Sequence, residues 1–254
     1  MAKSKKYVIT ILILLFFIIL YSHVIGLKKK NDKIEILQAK NPNGSKIQDL
    51  LQEKSPIIFK DVLYEWEPVI NIFDKPITEI NKIVKSDDSF NKDLRNCLNN
   101  YSMFLSFGWD YHIFEKTIDD IDDHFILENQ HRHLICQIMG TQRYYLISPN
   151  QSRFIKSKNK DLNNIIYNEI DESDVEKKEK LKKIYSKNPI ESIVNFWNEK
   201  ETDITPFNNI EYIEIILREG NILHIPHGWW FLSQVEEDTL VLESFNLSAI
   251  SLFI

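Results

Sequence analysis

The chain has 254 residues, of which 43% are hydrophobic and 12% aromatic, which is enough to bury the core of one sizeable domain. It contains only 6 glycines and 8 prolines, which excludes a fibrous protein, and its two cysteines, Cys97 and Cys136, are too few for a disulfide framework. Residues 1–30 hold six lysines and no acidic residue, so the rest of the chain carries 25 basic against 37 acidic residues, a net charge of −12. Such an acidic domain is not expected to bind nucleic acid.

An apolar segment from Tyr7 to Leu27 lies between two groups of three lysines. It is long enough to cross a bilayer, for which about 20 apolar residues are needed, so we expect residues 1–30 to be a single-pass membrane anchor. A cleaved signal peptide is the alternative, with Val24 and Gly26 as small residues near a cleavage site, but the apolar core is longer than the roughly 7–15 residues usual in signals. The lysines on both sides nearly cancel, which leaves the orientation and the compartment open.

Residues 31–44 have the composition of a linker, and residues 45–254 are predicted to form the folded domain. Its first half is predicted to contain a short amphipathic helix capped by Ser45, a strand over Ser55–Lys60, a helix over Pro76–Lys85 and a strand over Tyr101–Trp109.

The second half of the domain is predicted to be richer in strands. Leu134–Pro149 has the pattern of a β-hairpin that turns at Gly140. Residues 156–187 form a charged, helical surface insertion, and Ile190–Trp197 has the pattern of another short helix. Further strands are expected at residues 211–217, 222–225, 231–235 and 239–246. The pattern predicts a mainly β domain, a sandwich or barrel, with peripheral helices packed outside.

Two motifs carry a resemblance to a known family. The spacing of Gly220, Pro226 and Gly228, followed by position 231, resembles the second motif of the cupin superfamily. The hairpin with Gln137, Gly140 and Arg143 is similar to the matching region of cupin-like, JmjC-type hydroxylases, and Ser55–Lys60, with Trp66 after it, resembles their entry strand. The resemblance covers about residues 50–250 and implies a double-stranded β-helix, the cupin or jelly-roll barrel.

Enzymes of that family hold Fe(II) with a His-x-Asp/Glu pair and a distant His, which leave room for 2-oxoglutarate. The resemblance places these ligands at Leu127, Asn129 and Phe231, and no His-x-Asp or His-x-Glu occurs anywhere in the chain. We therefore expect no metal and no cosubstrate.

The positions that bind the cosubstrate in the family have also changed. Gln142 stands where a lysine is common and His133 where an asparagine is common, while Asn246 matches a later family asparagine. Neither Gln142 nor a neutral imidazole supplies the fixed positive charge that pairs with a carboxylate.

The substitutions at two of the metal positions suggest a structural replacement. Leu127 and Phe231 are expected to face one another across the barrel as an apolar plug, whose burial would contribute roughly 2–5 kcal/mol.

A relocated metal site is the alternative. His131 and His133 alternate on a predicted strand, so they would share a face, and His224 or His227 could complete a site for zinc, manganese or iron. Ordinary half-buried histidines are the simpler interpretation.

The sequence therefore predicts a membrane-anchored, non-catalytic binding or structural module with a protein partner or a homodimeric state. The alternative functions are an Fe(II)/2-oxoglutarate-dependent enzyme with a relocated site, or a binder of an unknown small ligand such as a sugar, through Trp229 and Trp230 at the barrel mouth.

Overall fold

The structure, a computed structural model, describes residues 2–28, 33–73, 75–103, 106–118, 122–128, 130–155, 157–159, 190–192, 196 and 210–248. Two six-stranded sheets dominate these residues, and helices lie against one of them. The predicted mainly β class with peripheral helices is therefore confirmed. Most of the predicted charged insertion at residues 156–187 lies outside the described residues.

The first sheet has the order β1-β2-β10-β5-β12-β3. Its strands span Leu37–Lys40 (β1), Ile57–Lys60 (β2), Ser106–Lys116 (β3), Arg132–Met139 (β5), Ile222–Ile225 (β10) and Thr239–Ser248 (β12). All neighbouring pairs are antiparallel except β1 and β2, which are parallel.

The second sheet has the order β7-β8-β4-β11-β6-β9, with antiparallel neighbours. Its strands span Ile126–Leu127 (β4), Thr141–Ile147 (β6), Ser157–Asn159 (β7), Ile190–Ser192 (β8), Tyr212–Arg218 (β9) and Trp230–Val235 (β11).

Side chains alternate along each strand between an inner face, which looks towards the other sheet, and an outer face. The inner faces meet in an apolar core to which Ile135 and Leu223 contribute from the first sheet and Tyr144, Leu146 and Ile215 from the second. The outer face of the first sheet, with Leu134 and Cys136, is covered by helices.

The helices are Ala2–Lys28 (α1), Gly44–Gln52 (α2), Glu67–Ile70 (α3), Ile77–Ser86 (α4) and Asp88–Asn99 (α5). Leu51, Ile80 and Leu94 insert into the core on the outer face of the first sheet. Asp87 begins α5, because its carboxylate accepts hydrogen bonds from the backbone N–H groups of the first turn.

A glycine fixes the turn between β5 and β6. Gly140 has a φ of 72°, and a Cβ added there would lie 2.6 Å from the backbone oxygen of Asp238. A residue with a side chain would need both a strained backbone and displacement of the neighbouring loop. The turn predicted at Gly140 is confirmed, but the predicted hairpin is wrong. β5 pairs with β10 and β12 in the first sheet, and β6 pairs with β9 and β11 in the second, so the turn carries the chain from one sheet to the other.

One apolar helix among the described residues is long enough to cross a membrane. Ile9–Gly26 has a mean hydropathy of 2.5 over 18 residues, and none of it is buried inside the protein. By length and composition it fits either a membrane anchor or a signal sequence. Its later part packs against the domain, where Leu20 and Val24 contact the buried Met103.

Several local predictions need correction. Part of the predicted linker 31–44 is ordered, since β1 pairs with β2 over four residues. Asn43, rather than Ser45, caps α2 by accepting a hydrogen bond from the N–H of Lys46. Ile190–Ser192 is not helical but a strand, because its backbone pairs with both β4 and β7.

Candidate functional site

A cluster of charged side chains lies at one end of the space between the two sheets. His133 is on the inner face of β5 and is 2% exposed. Around it are Glu128, which follows β4, Glu243 of β12 and Lys116 of β3. We call these four residues the inner charge cluster.

Each member of the inner charge cluster has a partner of opposite charge. The Nδ1 atom of His133 is 2.5 Å from a carboxylate oxygen of Glu128, and its Nε2 atom is 3.8 Å from Glu243. Lys116 lies 4.0 Å from the other oxygen of Glu243. With the imidazole protonated, two positive charges balance two negative ones.

The carboxylates favour the protonated form of His133. Burial on its own would lower the pKa of His133, but Glu128, with a smaller contribution from Glu243, raises it above the usual value, and Lys116 opposes this. Glu128 is held in turn by the backbone N–H of Gln130, at 2.5 Å. The imidazole is thus oriented by groups of its own chain, which also favour its protonated form.

Two aromatic rings enclose the same imidazole. The ring of Phe245 stacks on His133 with 4.5 Å between centroids, and the ring of Phe231 approaches it edge-on at 5.8 Å. Stacking against aromatic rings stabilises a cation, so the rings, like the carboxylates, favour the protonated form of His133.

The two predicted metal positions that the structure describes, Leu127 and Phe231, do not converge. Leu127 pairs with Trp230 across β4 and β11, and both pack on the outer face of the second sheet. Phe231, one residue further along β11, faces the inner core. The expected contact between Leu127 and Phe231 across the barrel is therefore wrong, because the two residues lie in neighbouring strands of one sheet and point to opposite faces. Asn129 lies outside the described residues.

The positions predicted to correspond to the cosubstrate site are also dispersed. Gln142 is fully buried on the inner face, where its Oε1 atom accepts a hydrogen bond of 2.5 Å from the hydroxyl of Tyr144. Asn246 lies on the outer face of the first sheet, accepts a hydrogen bond from the N–H of Met103, and donates one to the carbonyl of Gly108. Asn246 thus organises the backbone before and within β3.

The alternative histidine site is not assembled either. His224 pairs with Leu134 and shares its outer face, whereas His133 points inwards. His131 stacks in parallel on His227, with 4.8 Å between the ring centroids. Across the described ranges, no group of three or more His, Cys, Asp or Glu side chains is arranged to hold a metal ion.

The residues that surround His133 were missed by the sequence analysis. Glu128 lies one position away from the predicted Asn129. Glu243 and Lys116 are charged residues at inward-facing positions of β12 and β3, and a charge at an inward position of a strand is the signal by which they could have been found.

Comparison with known proteins agrees with this architecture. Residues 123–248 match a family model described as a cupin-like domain. The matched segment includes three members of the inner charge cluster: Glu128, His133 and Glu243. A search of the curated proteins found no match.

Proposed function

Through residues 123–248 the chain belongs to the cupin-like domain family, and from this premise we propose that it is a membrane-anchored binding or structural module without iron-dependent catalysis. Strands alternate between the sheets from β4 to β6 and again from β9 to β12, whereas the four strands β6 to β9 all belong to the second sheet. This alternation supports the double-stranded β-helix expected of the family.

The observation that carries the proposal is the contact between His133 and Glu128. An iron site needs imidazole nitrogens and carboxylate oxygens that are free to coordinate. Here the Nδ1 atom of His133 and a carboxylate oxygen of Glu128 are bonded to each other, and Phe231 occupies the adjacent inner position. This bond engages one ring nitrogen of His133 and the Glu128 carboxylate, which supports a structural role for the pair, while the Nε2 atom lies 3.8 Å from Glu243.

The apolar helix α1 supports the anchoring part of the proposal. Apart from the contact of Leu20 and Val24 with Met103, its surface is exposed and apolar, as expected for a segment in contact with lipid. In this arrangement the barrel lies close to a membrane surface, where it would bind a protein partner, a second copy of the chain or a small ligand.

Metal analysis combined with turnover tests the proposal. The full chain, purified in detergent and incubated anaerobically with Fe(II) and 2-oxoglutarate, is expected to retain no stoichiometric iron and to release no succinate above a sample without protein. An active iron-dependent hydroxylase measured in parallel serves as the positive control. Stoichiometric iron together with 2-oxoglutarate decarboxylation would overturn the proposal and establish the relocated-site enzyme instead.

Membrane insertion is tested separately. Carbonate extraction of membranes from expressing cells should leave the full chain in the pellet, at the molecular mass of the uncleaved sequence. Release into the supernatant at a mass reduced by about 25 residues, the length of a signal peptide, would show that the segment is cleaved.

A further inference from the structure

A second group of basic side chains lies on the opposite face of the strand that carries His133. Arg132 begins β5, His224 lies on β10 beside it, and Lys54 lies in the loop between α2 and β2. His224 is paired with Leu134, which faces the helices, and Arg132 is two residues before Leu134, so both point to the outer face of the first sheet. We call Arg132, His224 and Lys54 the outer basic cluster.

Two side chains of this cluster, Arg132 and His224, are buried with nitrogen atoms that have no hydrogen-bond partner among the residues that the structure describes. Arg132 is 7% exposed, and its Nε and Nη1 atoms have no hydrogen-bond partner. His224 is 1% exposed, and neither of its ring nitrogens has a partner. Native proteins pair the great majority of such atoms, so four unpartnered side-chain nitrogens within one cluster call for an explanation.

The cluster also lacks a counter-charge. Burial lowers the pKa of Arg132 to about 10 and, together with Arg132, lowers the pKa of Lys54 to about 8. Burial and the same two cations lower the pKa of His224 well below its usual value. At pH 7 the cluster therefore holds two cations and a neutral imidazole, and among the residues that the structure describes no carboxylate forms a salt bridge with any of them.

These side chains have the chemistry that binds an oxyanion. The guanidinium group presents parallel N–H donors that match two oxygens of a phosphate, the ammonium group adds a point charge, and a neutral imidazole donates one N–H. A buried, unpaired guanidinium is costly, and an anionic ligand would remove that cost.

The cluster lies near the contact between α1 and the domain. Arg132 is the cross-strand partner of Asn246, whose side chain accepts a hydrogen bond from the N–H of Met103. Met103 is the residue against which Leu20 and Val24 of α1 pack. Arg132 is thus linked to the apolar helix through two residues, Asn246 and Met103.

We propose that Arg132, His224 and Lys54 form a binding site for a phosphate group, presented either by a phospholipid headgroup or by a soluble phosphate. The site is on the outer face of the first sheet and is separate from the inner charge cluster. It does not depend on whether the barrel interior is catalytic.

Thermal unfolding of the full chain in detergent micelles tests the site. Inorganic phosphate, titrated at constant ionic strength against chloride, is expected to raise the unfolding midpoint by roughly 5 °C at a saturating concentration. Micelles doped with phosphatidic acid form the second arm, and micelles doped with phosphatidylcholine its control. An equal response to inorganic phosphate and phosphatidic acid identifies a soluble ligand, and a response to phosphatidic acid at a concentration at least about tenfold lower identifies a lipid headgroup. No response in either arm would overturn the proposal.

Variants assign the response to the cluster. Arg132→Gln is expected to abolish the rise in unfolding temperature caused by phosphate. Without phosphate the variant should unfold at the same or a higher temperature than the wild type, because the change removes an unpaired buried charge. Arg153→Gln is the matched control, since Arg153 is exposed and stacks on Phe154, and it should keep the full response.

A second variant covers the case in which Arg132→Gln fails to fold. Lys54 has a φ of 59°, a conformation that asparagine tolerates well, so Lys54→Asn removes the charge without new backbone strain. The Lys54→Asn variant is expected to bind inorganic phosphate about tenfold more weakly than the wild type. A Lys54→Asn protein that binds as tightly as the wild type would contradict the proposed site.

Discussion

Two neighbouring residues of one strand, Arg132 and His133, place a basic side chain on either face of the first sheet. On the inner face His133 is bonded to Glu128 and flanked by Glu243, so the chain itself supplies the compensating charges. On the outer face Arg132 is accompanied by another cation, Lys54, and by a neutral imidazole. The inner cluster therefore contains its own counter-charges, although the Nε2 atom of His133 has no hydrogen-bond partner among the described residues, whereas the outer cluster has none and would gain from an anion supplied from outside the chain.

The largest expected effect comes from breaking the inner pair. Glu128→Ala leaves a buried imidazole without its main partner, and we expect a loss of about 3 kcal/mol in the free energy of unfolding, measured by urea denaturation. Glu214→Ala is the control, because Glu214 pairs with Arg143 at the surface, and it should cost less than about 1 kcal/mol. Equal losses in the two variants would show that the inner pair is not special.

The pH dependence of stability should separate the two faces, because their histidines shift in opposite directions. The pKa of His224 is lowered on folding, so below about 6.5 the unfolded chain binds a proton that the folded chain refuses, and stability falls with decreasing pH by up to about 1.4 kcal/mol per unit. The pKa of His133 is raised, so its contribution is present below about 6.5 and is lost as the pH rises through the folded value.

Single variants isolate these two contributions. The free energy of unfolding is measured by urea titration at each pH. His224→Gln should reduce its fall between about pH 6.5 and 5, and His133→Gln should reduce its fall above about pH 6.5. If His224→Gln lost as much unfolding free energy between about pH 6.5 and 5 as the wild type does, His224 would not be the cause of the loss of stability at low pH.

A smaller effect is expected from the far end of the inner charge cluster. Lys116 is 24% exposed and 4.0 Å from Glu243, which keeps His133 as a second partner. Lys116→Met should therefore cost only about 0.5–1 kcal/mol in urea denaturation, and Lys75→Met, at an exposed i,i+4 pair, about 0.5 kcal/mol or less. A loss as large as that of Glu128→Ala would mean that charge balance, rather than the His133–Glu128 bond, stabilises the interior.

The smallest effect is expected from Phe231→His, which should not create an iron site. The new imidazole would face His133, but Leu127 still faces outwards and Glu128 is still bonded to His133, so we expect no stoichiometric iron by metal analysis. A bound iron in this variant would show that the inner cluster rearranges easily into a metal site.

The sequence predicted the parts of the fold that local signals determine. The turn at Gly140, the strand Ile222–Ile225 and the helix near Ile77–Ser86 follow from a glycine with positive φ, from an apolar run and from helical periodicity. Strand β1 was missed because its partner β2 is about 20 residues away and contributes no local pattern.

The candidate site was predicted less well, for a different reason. The family resemblance placed a metal position at Leu127, just ahead of β5, but Leu127 lies in β4, which belongs to the second sheet, whereas β5 belongs to the first. Between them the chain crosses from one sheet to the other, so the alternation of faces does not carry over, and Leu127 points outwards. The outer basic cluster was missed because it joins residues 54, 132 and 224, although an arginine at the start of the buried strand Arg132–Met139 was a usable signal.

Strand β1 also sets how far the domain can travel. Only eight residues separate Lys28, at the end of α1, from Leu37, which is fixed to the sheet by its pairing with Ile57. Even fully extended, that tether reaches about 30 Å. With α1 in a bilayer, the barrel would sample a thin layer of space along the membrane surface, and any ligand confined to that surface would be present at a high effective concentration. A weak intrinsic affinity would then be sufficient for near-permanent occupancy.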